Sequence, residues 1–276
     1  MIDHLQDTIT LNNGVKMPGF GLGVYKVENG DAVENAVGAA IRHGYRSIDT
    51  AAFYDNETGV GKAINECGVP REDLFITSKV WNDDQGYEQT LQAFEASLKK
   101  LDLEYLDLYL IHWPVKGLYK ETWKAMEKLY KDGKVRAIGV SNFHVHHLQD
   151  LLSDCEVKPV INQVEYHPHL TQMELHEFCR KENIQLEAWS PLKKGRIFDV
   201  PTIVEIAEKY AKSPAQVILR WDLQNHVVTI PKSVTEHRII ENADVFDFSL
   251  TEEEMEKINR LNKNERTGSN PDSFDE

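Results

Sequence analysis

Eight short apolar stretches, each long enough for a strand, alternate with amphipathic stretches of helical period along nearly the whole chain. The strand-like stretches are GFGLGV (19–24), SIDTA (47–51), FITSKV (75–80), YLDLYLIHW (105–113), RAIGVSN (136–142), INQVEY (161–166), QLEAWS (185–190) and VVTIPK (227–232). Helical periodicity covers roughly 31–43, 57–67, 87–101, 120–132, 144–153, 171–182 and 201–224, the last broken near Ser213-Pro214. Strands joined by helices pair in parallel, because each helix carries the chain back to the start of the next strand. A doubly wound sheet could use eight strands, but 276 residues in so regular a succession favour a closed (β/α)8 barrel. With no linker and no repeat, residues 1–276 read as one domain. Asn13-Gly14, between 8–11 and 15–17, predicts a hairpin ahead of the barrel. A last helix near 251–262 leads into a polar tail, NKNERTGSNPDSFDE, expected to lie over one end.

The 41% of hydrophobic residues can fill such a core, and the 28% of charged residues suit a water-facing surface. A net charge of -14 excludes a general nucleic-acid or anionic-membrane surface, so an anionic ligand would need a local basic patch. The cysteines, Cys67, Cys155 and Cys179, are odd in number and form no CxxC, which implies a reduced, cytoplasmic setting. The start, MIDHLQDTIT, has neither a basic nor an apolar signal region, and no apolar run approaches the ~20 residues that span a bilayer. No dimerisation segment is apparent, and a monomer is expected.

In a parallel barrel the chemistry sits at the carboxyl ends of the strands. Those positions hold Asp49 with Tyr54 in the following loop, then Lys79, His112, Ser141-Asn142, Gln163, Trp189-Ser190 and Lys232-Ser233. Taken singly, Asp49 could cap a helix, Lys79 could snorkel and His112 could be a satisfied core histidine. An acid, a phenol, an amine and an imidazole at successive strand ends argue for chemistry instead. The set suits proton transfer to a carbonyl oxygen. A free tyrosine, with a pKa near ~10, is a poor catalyst at neutral pH, and a nearby ammonium lowers that value. Lys79 can supply the charge, Asp49 can hold the lysine, and His112 can orient a substrate carbonyl beside Tyr54. None of these side chains supplies a hydride, so a cofactor must.

The motifs GFGLGVYKV, GYRSIDTAAFYDNE, ITSKVWN, LDLYLIHWP, VRAIGVSNF, NQVEYHP, WSPL and VVTIPKSVTEHRIIENADVFDF resemble the aldo-keto reductases over nearly the whole chain. The short loops and the NERTG tail look like the bacterial branch that includes glyoxal/methylglyoxal reductases and diketogluconate reductases. The resemblance implies a TIM barrel that reduces small aldehydes and ketones with NADPH. It implies a catalytic tetrad of Asp49, Tyr54, Lys79 and His112, with Tyr54 delivering the proton. It sets Gly23, Val24 and Tyr25 at the cofactor's edge, and Ser141, Asn142 and Gln163 around the nicotinamide carboxamide. Trp189 would stack on the nicotinamide or serve as barrel core. Ser190 and Leu192 would follow the pyrophosphate. Lys232, Ser233, Val234 and Arg238 would surround the 2'-phosphate, and Asn242 the adenine. Tyr25, Trp81 and Trp113, with His112, would wall the substrate pocket. Two departures stand out: GLGVY lacks the family's frequent Trp, and Lys193-Lys194 follow WSPL, either leaning on the pyrophosphate or facing solvent.

Other motifs carry less. GFGLG fails the G-x-G-x-x-G spacing, and GVGK (59–62) fails that of a P-loop. His144, His146 and His147 tempt a metal reading. On a helix they would point in different directions, with no Cys or paired acids nearby, so no metal is expected. His167 and His169 bracket Pro168 and suit a structural or rim role. Two rival readings stand beside the reductase. One is a lyase using Lys79 as a Schiff-base nucleophile; the other is an NADPH-binding sensor or structural barrel without turnover, against which the intact tetrad speaks.

Overall fold

A computed structural model describes residues 2–274; Met1 and the last two tail residues, Asp275 and Glu276, lie outside the described residues. The hairpin forms as expected, from β1 (Thr8–Thr10) and β2 (Lys16–Pro18) around the Asn13-Gly14 turn. Eight parallel strands follow in sequential order: β3 (Leu22–Gly23), β4 (Ser47–Asp49), β5 (Phe75–Val80), β6 (Leu106–Ile111), β7 (Val135–Ser141), β8 (Ile161–Glu165), β9 (Gln185–Trp189) and β10 (Val228–Thr229). The first strand returns to the last through parallel bridges at Phe20–Thr229 and Gly23–Lys232, which close the barrel. β3 and β10 are shorter than the sequence suggested. Their seam is made of single bridges, and Pro231, which has no N–H, cannot extend a ladder.

The connecting helices are α1 (Asp31–Arg42), α2 (Glu57–Glu66), α3 (Tyr87–Leu101), α4 (Tyr119–Lys131), α5 (Val145–Leu152), α6 (Met173–Lys181), α7 (Pro201–Tyr210), α8 (Pro214–Gln224), α9 (Glu236–Ala243) and α10 (Glu252–Asn259). The break between α7 and α8 has a local cause: Pro214 opens α8, and the Ser213 side chain accepts the Gln216 N–H at 3.3 Å. The helix α9 occupies the run after Ser233.

Strand periodicity sorts the core into two shells. Ile48, Ile76, Tyr109, Ile111, Ile138, Val140 and Leu186 point outward and pack beneath the helices. Phe75, Leu108, Leu110, Ala137, Ile161 and Val228 point inward, and the hairpin adds Leu11 and Met17 to this inner shell. The hairpin thus plugs the amino end of the barrel. Its turn is pinned there by Asn12, which donates to the carbonyls of Pro159 and Asn183 at 2.9 and 3.0 Å. Inward positions nearer the carboxyl end turn polar: Asp49, Lys79, Gln163 and Glu187 are all buried. Among the described residues, no helix is long and apolar enough to cross a membrane.

Candidate active site

Lys79, near the end of β5, has no exposed surface. An ammonium carries three protons, and here each has an acceptor. Its Nζ lies 2.6 Å from Asp49 Oδ1, 2.9 Å from the Thr50 carbonyl and 3.2 Å from Tyr54 Oη. Because the phenolic oxygen accepts from the lysine, its own proton remains available for something in the pocket. Desolvation opposes an ammonium here, but the charges and hydrogen bonds of Asp49 and Tyr54 together outweigh it, and the Lys79 pKa rises to about 12. The lysine is charged at every ordinary pH.

Tyr54 ends a short 3-10 turn, Ala52–Tyr54, closed by Asp55 in the left-handed region. Buried Asn56 anchors that turn. Its Nδ2 donates to the carbonyls of Val24 and Val27, both at 2.9 Å, and its Oδ1 accepts from Thr50 Oγ1 at 2.7 Å. Burial pushes the Tyr54 pKa up, Lys79 pulls it back, and the balance is about 12. The sequence reading expected the lysine to lower it outright. The direction is the opposite, because desolvation of the phenolate outweighs the ammonium.

His112 sits just beyond β6, its ring centroid 5.7 Å from that of Tyr54. Burial, aided by the Lys79 charge, holds its pKa well below the usual value, so the ring is neutral. Nδ1 is buried without a partner, which leaves Nε2 as the nitrogen that can serve the pocket.

Beneath these groups lies a second acid that the sequence reading missed. Gln163 Nε2 donates to Asp49 Oδ2 at 2.7 Å and to Glu187 Oε2 at 3.0 Å. Burial and the Asp49 charge raise the Glu187 pKa, which favours a protonated carboxyl. With both amide protons spent inward, Gln163 has its Oε1 left to accept a hydrogen bond. Asn142, in the left-handed region, gives its two amide protons to the His112 carbonyl and Ser141 Oγ, and accepts the Trp189 indole N–H at 2.9 Å. Ser141 Oγ donates to the Gln163 carbonyl at 2.8 Å. Asn142 therefore positions its neighbours more than it offers free donors.

The other expected residues lie around the same end. Trp189 and Leu192 are half-buried, and Ser190 is half-buried with a left-handed backbone. Gly23 and Val24 lie at the seam, where a Cβ on Gly23 would stand 2.8 Å from the Ile230 carbonyl. Ser233 and Asn242 are buried, whereas Lys232, Val234 and Arg238 are exposed. Tyr25 leans on Tyr54 at 5.0 Å. Trp81 stacks on Phe53 at 3.7 Å and meets His112 edge-on at 5.2 Å. Trp113 stacks on the tail residue Phe274 at 4.2 Å. Phe53 and Phe274, which stack on two of the expected wall residues, were missed by the sequence reading. Phe53 was signalled only by its place beside Tyr54, and Phe274 by being an aromatic residue in a polar tail.

Two readings need correction. Lys193 neither faces solvent nor is free for a pyrophosphate: buried, it donates to Glu265 Oε1 at 2.6 Å and to His169 Nδ1 at 2.8 Å. It holds the tail, as do His169 and Glu165, whose carboxylate accepts from Thr267 and Gly268. His167 donates to Glu165 from within the core. His144, His146 and His147 do not diverge. His144 precedes α5 with extended backbone, so its ring swings back over the first helical turn. The tail brings the missing acid, Asp272, and one ligand atom from each of the four residues lies within 4.8 Å of the others.

Comparison with known proteins locates this arrangement. The family model described as "Aldo/keto reductase family" matches residues 19–263. The chain is 68% identical over 274 residues to the glyoxal reductase of Bacillus subtilis, covering 99% of each chain. It is 49% identical to the methylglyoxal reductase DkgA of Escherichia coli, covering 96% of this chain and 97% of that one. Its fold superposes with a TM-score of 0.93 on a crystal structure of a Gox0644 mutant in complex with NADPH, at 45% identity over 97% of this chain and 98% of the other.

The anchoring of the tyrosine turn can be tested apart from any activity. Asn56→Ala leaves the Val24 and Val27 carbonyls without their donors, and is expected to cost about 1–3 kcal/mol. Urea unfolding reads this directly. An unchanged midpoint would mean that other contacts hold the turn.

Proposed function

The chain belongs to the aldo/keto reductase family, and from that membership we propose that it reduces small aldehydes and ketones with NADPH, favouring α-dicarbonyls such as glyoxal and methylglyoxal. One observation carries the assignment of roles: the Lys79 ammonium is fully satisfied by Asp49, Thr50 and Tyr54, which leaves the phenolic proton free beside neutral His112. The substrate carbonyl lies between Tyr54 Oη and His112 Nε2. His112 donates a hydrogen bond that orients the carbonyl oxygen, and Tyr54 gives that oxygen its proton. Lys79 stabilises the phenolate left behind, and Asp49 keeps Lys79 aimed and charged. A Schiff-base lyase is disfavoured, because an ammonium this well paired is a poor nucleophile.

The residues fit NADPH. Gln163 Oε1 suits a carboxamide N–H₂, and the half-exposed Trp189 indole offers a face for the nicotinamide. Exposed Lys232 and Arg238, with Ser233 and Val234 between β10 and α9, form a basic patch suited to a 2'-phosphate in a chain of charge -14. Gly23, Val24 and Tyr25 line one edge, Ser190 and Leu192 the pyrophosphate path, and Asn242 the adenine end. When bound, NADPH supplies the reducing equivalent that no side chain holds. The paired aromatic walls, Phe53–Trp81 and Trp113–Phe274, favour small flat carbonyls over bulky ones. The complete tetrad supports turnover over a sensor role. All four of its members come from one barrel, in keeping with a monomer acting as one domain. Three free cysteines accord with a cytoplasmic setting.

Tyr54→Phe is expected to lower kcat with methylglyoxal by about 10²- to 10⁴-fold, while NADPH still quenches tryptophan fluorescence. Equal turnover in both proteins would remove the tyrosine from the mechanism. Absence of turnover in the wild type, with NADPH bound, would favour the sensor reading.

Because the Tyr54 pKa is raised to about 12, the proton-donor form persists through neutral pH. Reduction is therefore expected to show no tyrosine ionisation between about pH 6 and 9, while alcohol oxidation, which needs the phenolate, climbs steadily with pH. A loss of reduction activity with a midpoint near neutrality in the pH-rate profile would contradict both the tyrosine and histidine assignments.

Arg238→Ala is expected to raise KM for NADPH roughly tenfold or more, as loss of a charge-assisted hydrogen bond implies, with little change for NADH. Equal effects on both cofactors would withdraw the 2'-phosphate site.

A further inference from the structure

The His144, His146, His147 and Asp272 cluster lies outside the carbonyl-reducing machinery, yet it joins the start of α5 to the tail that carries Phe274. His144 Nδ1 and His146 Nε2 each stand 3.0 Å from an Asp272 carboxylate oxygen, and His147 Nε2 stands 3.6 Å from one. Three imidazoles and one carboxylate are a donor set that divalent zinc and its neighbours favour. We propose that these four residues bind one divalent transition-metal ion, Zn²⁺ being the probe, and that the ion clips the tail onto the barrel so that Phe274 stays against Trp113.

The geometry requires only a modest closure. Tetrahedral ligands about 2.0–2.1 Å from zinc are roughly 3.4 Å apart, and the four donors already lie within 4.8 Å of one another. His146 is the most exposed of the three and gives an ion its entry.

The hydrogen bonds also show what the ion must displace. His144 Nε2 faces Arg266 Nη2 at 3.1 Å, which leaves the ring proton on Nδ1, directed at Asp272. Ligation through Nδ1 moves that proton to Nε2, where Arg266 can no longer donate. Likewise His147 Nδ1 accepts the His144 backbone N–H at 3.0 Å, so ligation through Nε2 shifts a proton and breaks that bond. Metal and Arg266 therefore compete for the same ring. Arg266→Ala removes both that competing donor and a nearby positive charge, so it should favour the ion.

The test uses the untagged full chain, freed of metal with a chelator and titrated with ZnCl₂ in a calorimeter near neutral pH. One saturable equivalent is expected. Asp272→Ala and His146→Ala should each weaken it by more than the roughly 10- to 100-fold that loss of a mere supporting partner costs, and Arg266→Ala should tighten it. In limited trypsin digestion, zinc should slow cleavage after Lys263 and Arg266 in the wild type and leave Asp272→Ala unaffected. All three side chains changed are at least partly exposed, and unchanged quenching by NADPH reports that each variant is folded. No saturable uptake by the wild type would overturn the site. Undiminished affinity in Asp272→Ala would overturn the clip, because the ion would then rest on the helix histidines alone.

Discussion

A fully buried ammonium governs the carboxyl end of this barrel. An unpaired charge there would be prohibitive, so Lys79 can exist only with a counter-ion and a full set of acceptors. Asp49 supplies the charge, Thr50 a carbonyl and Tyr54 a phenolic oxygen. Each acceptor comes from β4 or the turn after it, and that turn in turn hangs from Asn56. Satisfying one lysine thus fixes the relative positions of two strands and the loop between them. The tyrosine is held as an acceptor toward the lysine, and its proton is directed elsewhere by default.

The same constraint extends downward. Asp49 has a second oxygen to satisfy, and Gln163 meets it while bridging to Glu187. Two carboxylates sharing one amide cannot both remain charged cheaply, and the Glu187 carboxyl gives way by holding its proton. The outcome is an amide whose orientation is chosen by the two acids it bridges and whose oxygen is left to accept.

Much of this was legible in the sequence, for physical reasons. Regular alternation of strand and helix periods permits few topologies, and strand ends hold side chains in known directions, so Asp49, Lys79 and His112 could be placed before any coordinates. What stayed hidden depends on tertiary closure. Glu187 sits within a strand that alternates normally, and nothing local says that its face is the interior polar layer. Phe274 and Asp272 belong to a tail without periodicity, whose position is set by Glu165, His169 and Lys193 on other elements. The histidine cluster was misjudged because a helical wheel was applied to His144, which precedes the helix. The sign of the Tyr54 shift was misjudged because a sequence displays the neighbouring charge but not the depth of burial.

The seam between β3 and β10 bears on how the chain reaches this state. Seven of the eight strands can pair in order as they are made, each beside its predecessor, but the seam joins the two ends of the sheet. Until residues 229–232 exist and return to residues 19–23, the sheet has two open edges. The polar layer is then incomplete as well, since Glu187 and Gln163 come from later strands than the lysine they help to support. The support beneath Lys79 is therefore complete only when strands later than its own are in place. Closing the ring rests on the strand pairing of greatest sequence separation, the kind of contact that is intrinsically slow to form.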